Sequence, residues 1–231
     1  MNESGEMAFI ASLTSAGGGN VAVFSGLPGN FDVAFRRDGV APGTGGATFR
    51  LFGAAAIGGS GDVAIFGSVN NSSALGVSSA NNDGIWTNIS GTTALVAREG
   101  DQVADLPTGV IFESFKESLV ADDGSVCFSG FVKGPGVNSS NDGCLWSNAS
   151  GSLVTLMREG GLAPGTDGSQ IKSINGFSCN NNATVGIVAD MITGIGDATS
   201  GSTQALWLSN PETAELDLAL RTGTSFEIAP G

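Results

Sequence analysis

WTNISGTTALVAREG, from Trp86 to Gly100, returns 60 residues later as WSNASGSLVTLMREG, from Trp146 to Gly160. Each copy reads as an aromatic strand, a polar turn (Asn88 to Gly91 in the first), and an apolar strand ending in Arg-Glu-Gly. Weaker copies run from Phe24 to Gly39, ending in RRDG, and from Trp207 to Gly223, ending in RTG. The matching arginines are Arg37, Arg98, Arg158 and Arg221, with spacings of 61, 60 and 63 (98 − 37, 158 − 98, 221 − 158). The tryptophans Trp86, Trp146 and Trp207 keep spacings of 60 and 61.

A second marker lies upstream of each copy: Asn2-x-x-Gly5, Ser60-Gly61, Asp123-Gly124 and Asn180 to Ala183, each opening an apolar run. Two markers on one period define four repeats, approximately 1–56, 57–119, 120–178 and 179–231. Every repeat offers a strand after the Asn-x-x-Gly turn (Glu6 to Leu13, Asp62 to Val69, Ser125 to Val132, Thr184 to Met191), a strand ending at the aromatic, and a third running into the arginine. A fourth strand carries Phe49 and Phe52, then Phe112 and Phe115, then Ile171 and Ile174. Helix signals are nearly lacking, and glycine, at 37 of 231 residues, punctuates the chain every eight to twelve positions. The expectation is an all-β, β-propeller-like fold of four repeats with four antiparallel strands each, in which one sheet buries only part of its apolar face and stacking on the next completes the core. The alternative is two β-sandwiches, each fusing two repeats.

Nine Lys and Arg against 22 Asp and Glu give a net charge of −13. That excludes nucleic acid, whose backbone demands clustered cations, and an anionic membrane surface. No apolar run approaches the roughly twenty residues of a membrane helix. Histidine and tyrosine are both missing from the sequence, which removes the usual general base and the imidazole ligands of zinc and haem. No metal or cofactor is expected. Three cysteines are an odd number: Cys127 and Cys179 align with apolar positions of sibling repeats and read as free core thiols, Cys144 stands beside Trp146, and one disulfide is the alternative.

The residues that recur once per repeat have a structural and a functional reading. Arg98 with Glu99, and Arg158 with Glu159, are expected to hold carbonyls or a carboxylate of the neighbouring repeat, with Gly100 and Gly160 permitting the following turn. The functional reading is a ring of arginines attracting anions. Trp86, Trp146 and Trp207 are candidate stacking platforms for glycans, or packing anchors, and Phe24 in the remaining repeat suits packing. Asn82-Asp83-Gly84, Asn141-Asp142-Gly143 and Asp122-Asp123-Gly124 read as Asx-type turns that supply too few oxygens for calcium. A carboxylate pair such as Glu113 and Glu117 is a candidate for glycoside chemistry.

The text NESGEMAF, NNDGIW, LVAREGD, VAPGTGGATFRLF and NDGCLW resembles the bacterial choice-of-anchor tandem-repeat proteins, over essentially all 231 residues. The resemblance implies export, with an extracellular or cell-surface location, more than it implies an activity. Because every distinctive residue recurs once per repeat, the expected function is a noncatalytic exported structural or adhesive module, with a glycan-binding lectin and a carboxylate-dependent glycan hydrolase as alternatives. Repeat four stops at Ala229-Pro230-Gly231 without a Phe-x-x-Phe strand, so a homo-oligomer or filament is expected.

Overall fold

The computed structural model describes residues 1–13 and 21–224. Among them the elements are fifteen strands and one short 3-10 turn, Ser73–Leu75. In chain order the strands are β1 Met7–Ser12, β2 Val21–Leu27, β3 Asn30–Arg36, β4 Phe49–Ile57, β5 Val63–Val69, β6 Asp83–Ile89, β7 Thr92–Arg98, β8 Ile111–Val120, β9 Val126–Lys133, β10 Gly143–Ser147, β11 Val154–Arg158, β12 Ile171–Cys179, β13 Val185–Met191, β14 Gln204–Ser209 and β15 Leu216–Arg221. They form four antiparallel sheets, ordered β1-β2-β3, β4-β5-β6-β7, β8-β9-β10-β11 and β12-β13-β14-β15. The fold is all-β and propeller-like, with four repeat-like units.

Sequence repeats and sheets share a period but not a phase. The boundaries drawn at 56/57, 119/120 and 178/179 fall at or beside the turns joining β4 to β5, β8 to β9 and β12 to β13, inside sheets. The Phe-x-x-Phe strand that ends a sequence repeat is the first strand of the next sheet. The turn after the arginine sets this exchange. Gly100 N–H donates to Phe112 O, and Phe112 N–H to Asp101 O, both at 3.0 Å; Gly160 with Ile171 and Asp38 with Phe49 repeat the arrangement. Asp38, Gly100, Gly160 and Gly223 hold φ of 64°, 84°, 74° and 79°, the left-handed turn that glycine favours. Among the described residues the fourth sheet has four strands and the first has three, while the stop expected at Ala229-Pro230-Gly231 lies outside the described residues.

Period-two alternation feeds two cores from each central strand. On β6, Trp86 faces the first sheet, packing with Val23, Phe35 and Phe49, while Ile85 faces the third with Phe112 and Val126. On β10, Trp146 faces back to the second sheet and Leu145 forward to the fourth. The core is thus continuous across the junction of the second and third sheets. The Trp strand also slips register at one point in every sheet, at Val23/Phe24, Ile85/Trp86, Leu145/Trp146 and Leu206/Trp207. This fourfold β-bulge aims the aromatic ring at the Phe strand. Phe49 meets Trp86, and Phe112 meets Trp146, edge-on at 5.1 Å.

The four Asn-x-x-Gly-type turns meet around one depression of about 370 Å³, lined in part by Asn2, Gly58, Gly59, Cys179 and Asn181. Hydrogen bonds pass from turn to turn. Asn2 Nδ2 donates to Gly58 O (2.9 Å), Gly59 N–H to Asp122 Oδ1 (2.5 Å), and Asp122 N–H to Asn181 O (3.3 Å). A Cβ on Gly59 would displace the Asp122 carboxylate from the Gly59 N–H that it accepts.

Trp86 and Trp207 donate their indole N–H to Pro42 O (3.1 Å) and Pro164 O (2.9 Å), whereas Trp146 Nε1 has no acceptor. Trp86→Phe and Trp207→Phe each remove a buried bond and strand a carbonyl; Trp146→Phe removes only ring volume and an unpaired donor. Denaturant unfolding is expected to show the first two about 1–2 kcal/mol more destabilising than the third.

Candidate functional site

The arginine that recurs in the repeats works within its own sheet, not on a neighbour. Arg98 Nε donates to Asn81 O and Arg158 Nε to Asn141 O, each at 2.7 Å, and Arg221 Nε to Ser202 O at 2.8 Å. All three acceptors lie in the loop that enters the Trp strand, so the guanidinium pins that loop. Arg221 adds an ion pair to Asp197 at 2.6 Å, and this bond together with one from Ser169 holds the Asp197 carboxyl down to about 2. Because β7, β11 and β15 lie at the sheet edge opposite β4, β8 and β12, the arginines stand away from the central depression. They form no ring around it.

Strand register reassigns the first-repeat arginine. Arg36 lies opposite Ala22 as Arg98 lies opposite Gly84 and Arg158 opposite Cys144. Arg37 instead takes the place of Glu99 and Glu159: its N–H reaches Val21 O as theirs reach Asp83 O and Gly143 O, all at 2.9 Å. Spacing alone does not separate the two adjacent arginines, since 61 and 62 both lie between the 60 and 63 of the other copies.

The three tryptophans are each 0% exposed, which removes the surface a sugar platform needs. They are packing anchors. Asp123 accepts Ser125 N–H at 2.8 Å, an Asx turn. Among the described residues no three acidic, cysteine or histidine side chains gather as metal ligands.

Titratable chemistry collects instead at the arginine end of the second and third sheets. Across the second sheet run Arg50, Ser68, Asp83 and Glu99, with Arg50 donating to Ser68 Oγ at 3.3 Å. Glu99 is only 8% exposed. Burial, and secondarily the Asp83 carboxylate, push its carboxyl above the usual range; burial likewise raises Asp83, against the opposing pull of Arg50.

One sheet further on, Gly143 stands where Asp83 stood. Its bare backbone leaves room that Glu159 uses, since a Cβ there would lie 2.5 Å from the Glu159 carboxyl carbon. A cleft of about 220 Å³ opens between the third and fourth sheets, lined by Lys116, Glu117, Cys144, Glu159 and Asn175 among others. Lys116 sits 4.0 Å over the Phe131 ring. The carboxylate pair suggested by sequence is not the one assembled: Glu113 is exposed on β8, and Glu117 shares the cleft with Glu159. Cys144 is buried, and desolvation pushes its thiol up to about 12, so it presents no thiolate nucleophile. The cleft is rich in acceptors and suits a small donor-bearing ligand. Sequence reasoning missed it because its signal is a substitution of Asp by Gly at one repeat position.

Glu99 yields a pH test. Its folded-state value is raised, so its contribution to stability is present below the ordinary carboxylate range and lost as pH rises through the folded value. Glu99→Gln keeps the neutral form at every pH. Thermal melts are expected to show the variant more stable than the parent at pH 7, with the difference closing toward pH 3.

A model of a protein family, described as a family of unknown function (DUF7453), matches residues 1–231. No curated protein matches the chain.

Proposed function

From end to end the chain belongs to that family of unknown function, DUF7453, and from this premise we propose that it is a noncatalytic structural or adhesive repeat module, exported, that self-associates head to tail. The fate of the recurring residues carries the reading. Every tryptophan is buried in an inter-sheet core, and Arg98, Arg158 and Arg221 each fix a backbone carbonyl of their own sheet. What repeats is used to build the array, and none of it is presented to a substrate. Export is supported by the acidic composition and by the likeness to surface repeat proteins.

Two features of the outer sheets support self-association. Inside the chain every sheet packs its forward face on the Phe strand of the next. On the fourth sheet that face shows Val188, Leu208 and Leu220 at 37%, 42% and 44% exposure, and Val188, Leu206 and Leu220 line an apolar hollow in it. At the other end β1 pairs only with β2 among the described residues, and Phe9 and Ile10 are each 37% exposed. Among the described residues, the unpaired β1 edge of the first sheet and the apolar face of the fourth make a heterologous interface, which propagates unless rotation closes it. The partner is a second copy of this chain.

Light scattering after size exclusion is expected to show a mass that climbs above 23.0 kDa as concentration rises. Leu220→Lys and Phe9→Lys, each alone, block one end and leave monomers, while their equimolar mixture forms a one-to-one dimer and stops. A wild-type chain that stays monomeric at every concentration, or a mixture that never pairs, overturns the reading.

A further inference from the structure

Cys127 and Cys179 come from different sheets and different sequence repeats, yet share one core cluster with Leu119. Cys127, on β9, is 1% exposed and lies opposite Leu119 of β8. Cys179 ends β12, is partly exposed, and lines the central depression beside Leu119 and Val120. Both thiols therefore lie against Leu119, where each perturbs the other's proton affinity, and the Cys179 S–H donates to Asn180 O at 3.4 Å. Cys144, the third cysteine, packs in the core between the second and third sheets instead.

We propose that Cys127 and Cys179 form a disulfide that locks the third sheet to the fourth, made by exchange with a small disulfide that enters through the central depression. Access and proton placement set the order of events. Cys179 reaches solvent, and the adjacent Cys127 side chain favours its thiolate, opposed by its own burial and by the carboxylates of Asp123 and Asp122. The Cys179 thiolate attacks one sulfur of the small disulfide, forming a mixed disulfide and releasing one thiol. Cys127, held protonated by the Cys179 side chain and by burial until then, loses its proton and attacks the Cys179 sulfur. The second small thiol leaves, so two cysteine thiols are oxidised and one disulfide molecule is reduced to two thiols. The bridge ties positions 52 apart in the chain (179 − 127), a closure that constrains the unfolded chain more than the folded one. It crosses a junction where the Phe-x-x-Phe pair has weakened to Ile171 and Ile174, which, among the described residues, has no aromatic ring contact of the kind that Phe112 and Trp146 make one junction earlier. The cross-link reinforces the sheet junction with the least aromatic packing. This inference stands apart from the proposed function and holds or fails without it.

The test treats the full chain with oxidised glutathione near pH 8, then denatures and alkylates it. The expected result is one alkylated cysteine, Cys144, and a mass lower by two hydrogens. Peptides containing Cys127 and Cys179 stay joined until reduced. Thermal melts should rise by roughly 5–10 °C on oxidation and return on reduction. Cys144→Ala should behave as wild type, and Cys179→Ser should keep Cys127 alkylatable without any melting shift. Three alkylated thiols, a lasting glutathione adduct on Cys179, or a bridge involving Cys144 would each overturn the proposal.

Discussion

Everything in this fold depends on burying both faces of a short four-stranded sheet. A sheet with one wet face closes its accounts with a single apolar stripe; a sheet inside a stack must supply two stripes of different shape from the same strand. The Trp strand does so by alternation. Trp86 and Trp146 fill the junction behind, while Ile85 and Leu145 fill the junction ahead. Large rings go only one way because the bulge before the tryptophan tips it toward the Phe strand of its own sheet. The bulge therefore decides which junction receives the ring, and the repeat length follows from returning the chain to that geometry.

The repeat period and strand content were legible because they rest on local chemistry. Apolar alternation, positive-φ glycines and turn residues are all written within a dozen positions. Phase was not legible. Nothing in REGD or RRDG states that the next strand belongs to a new sheet, since that depends on Phe112 and Phe49 bonding across to the turn residues Gly100 and Asp38 rather than lying beside β7 or β3. Hydrogen bonds between sheets are long-range facts, and a single sequence carries no trace of them. The same limit produced the choice of Arg37 over Arg36.

Site chemistry was less legible than fold for a related reason. Sequence reasoning weighs what recurs, and the recurring tryptophans and arginines belong to the scaffold. Departures from the repeat mark the places where the array differs from itself: Asp83 against Gly143, Lys116 and Glu117 on the one Phe strand that is a residue longer than β4 and β12. Those departures are single residues, invisible beside the pattern until the sheets are laid over one another. A repeat protein thus hides its individuality in the positions a repeat search discards.

Departures also come with compensation, and the linkers show it. Gly43 and Gly165 sit in left-handed turns against leucine, and a Cβ on Gly43 would fall 2.5 Å from Leu95 Cδ2, on Gly165 2.9 Å from Leu218 Cβ. In the third sheet the corresponding linker is a residue longer, bridged from Val103 to Val110 where the others run from Ala41 to Ala47 and Ala163 to Ser169. There Asp105 replaces the glycine, and the facing residue is not leucine but Thr155, whose N–H and hydroxyl reach the Asp105 carboxylate at 2.5 and 2.9 Å. Each combination is sound alone, glycine with leucine by close packing and aspartate with threonine by hydrogen bonding. The mixed pairs fail, because aspartate would drive its side chain into Leu95 and glycine would leave the Thr155 amide without its acceptor. Stacked repeats can therefore diverge only by changing both sides of a contact together, which is why the scaffold keeps its period while one linker has lost its proline acceptor and its glycine and gained a residue.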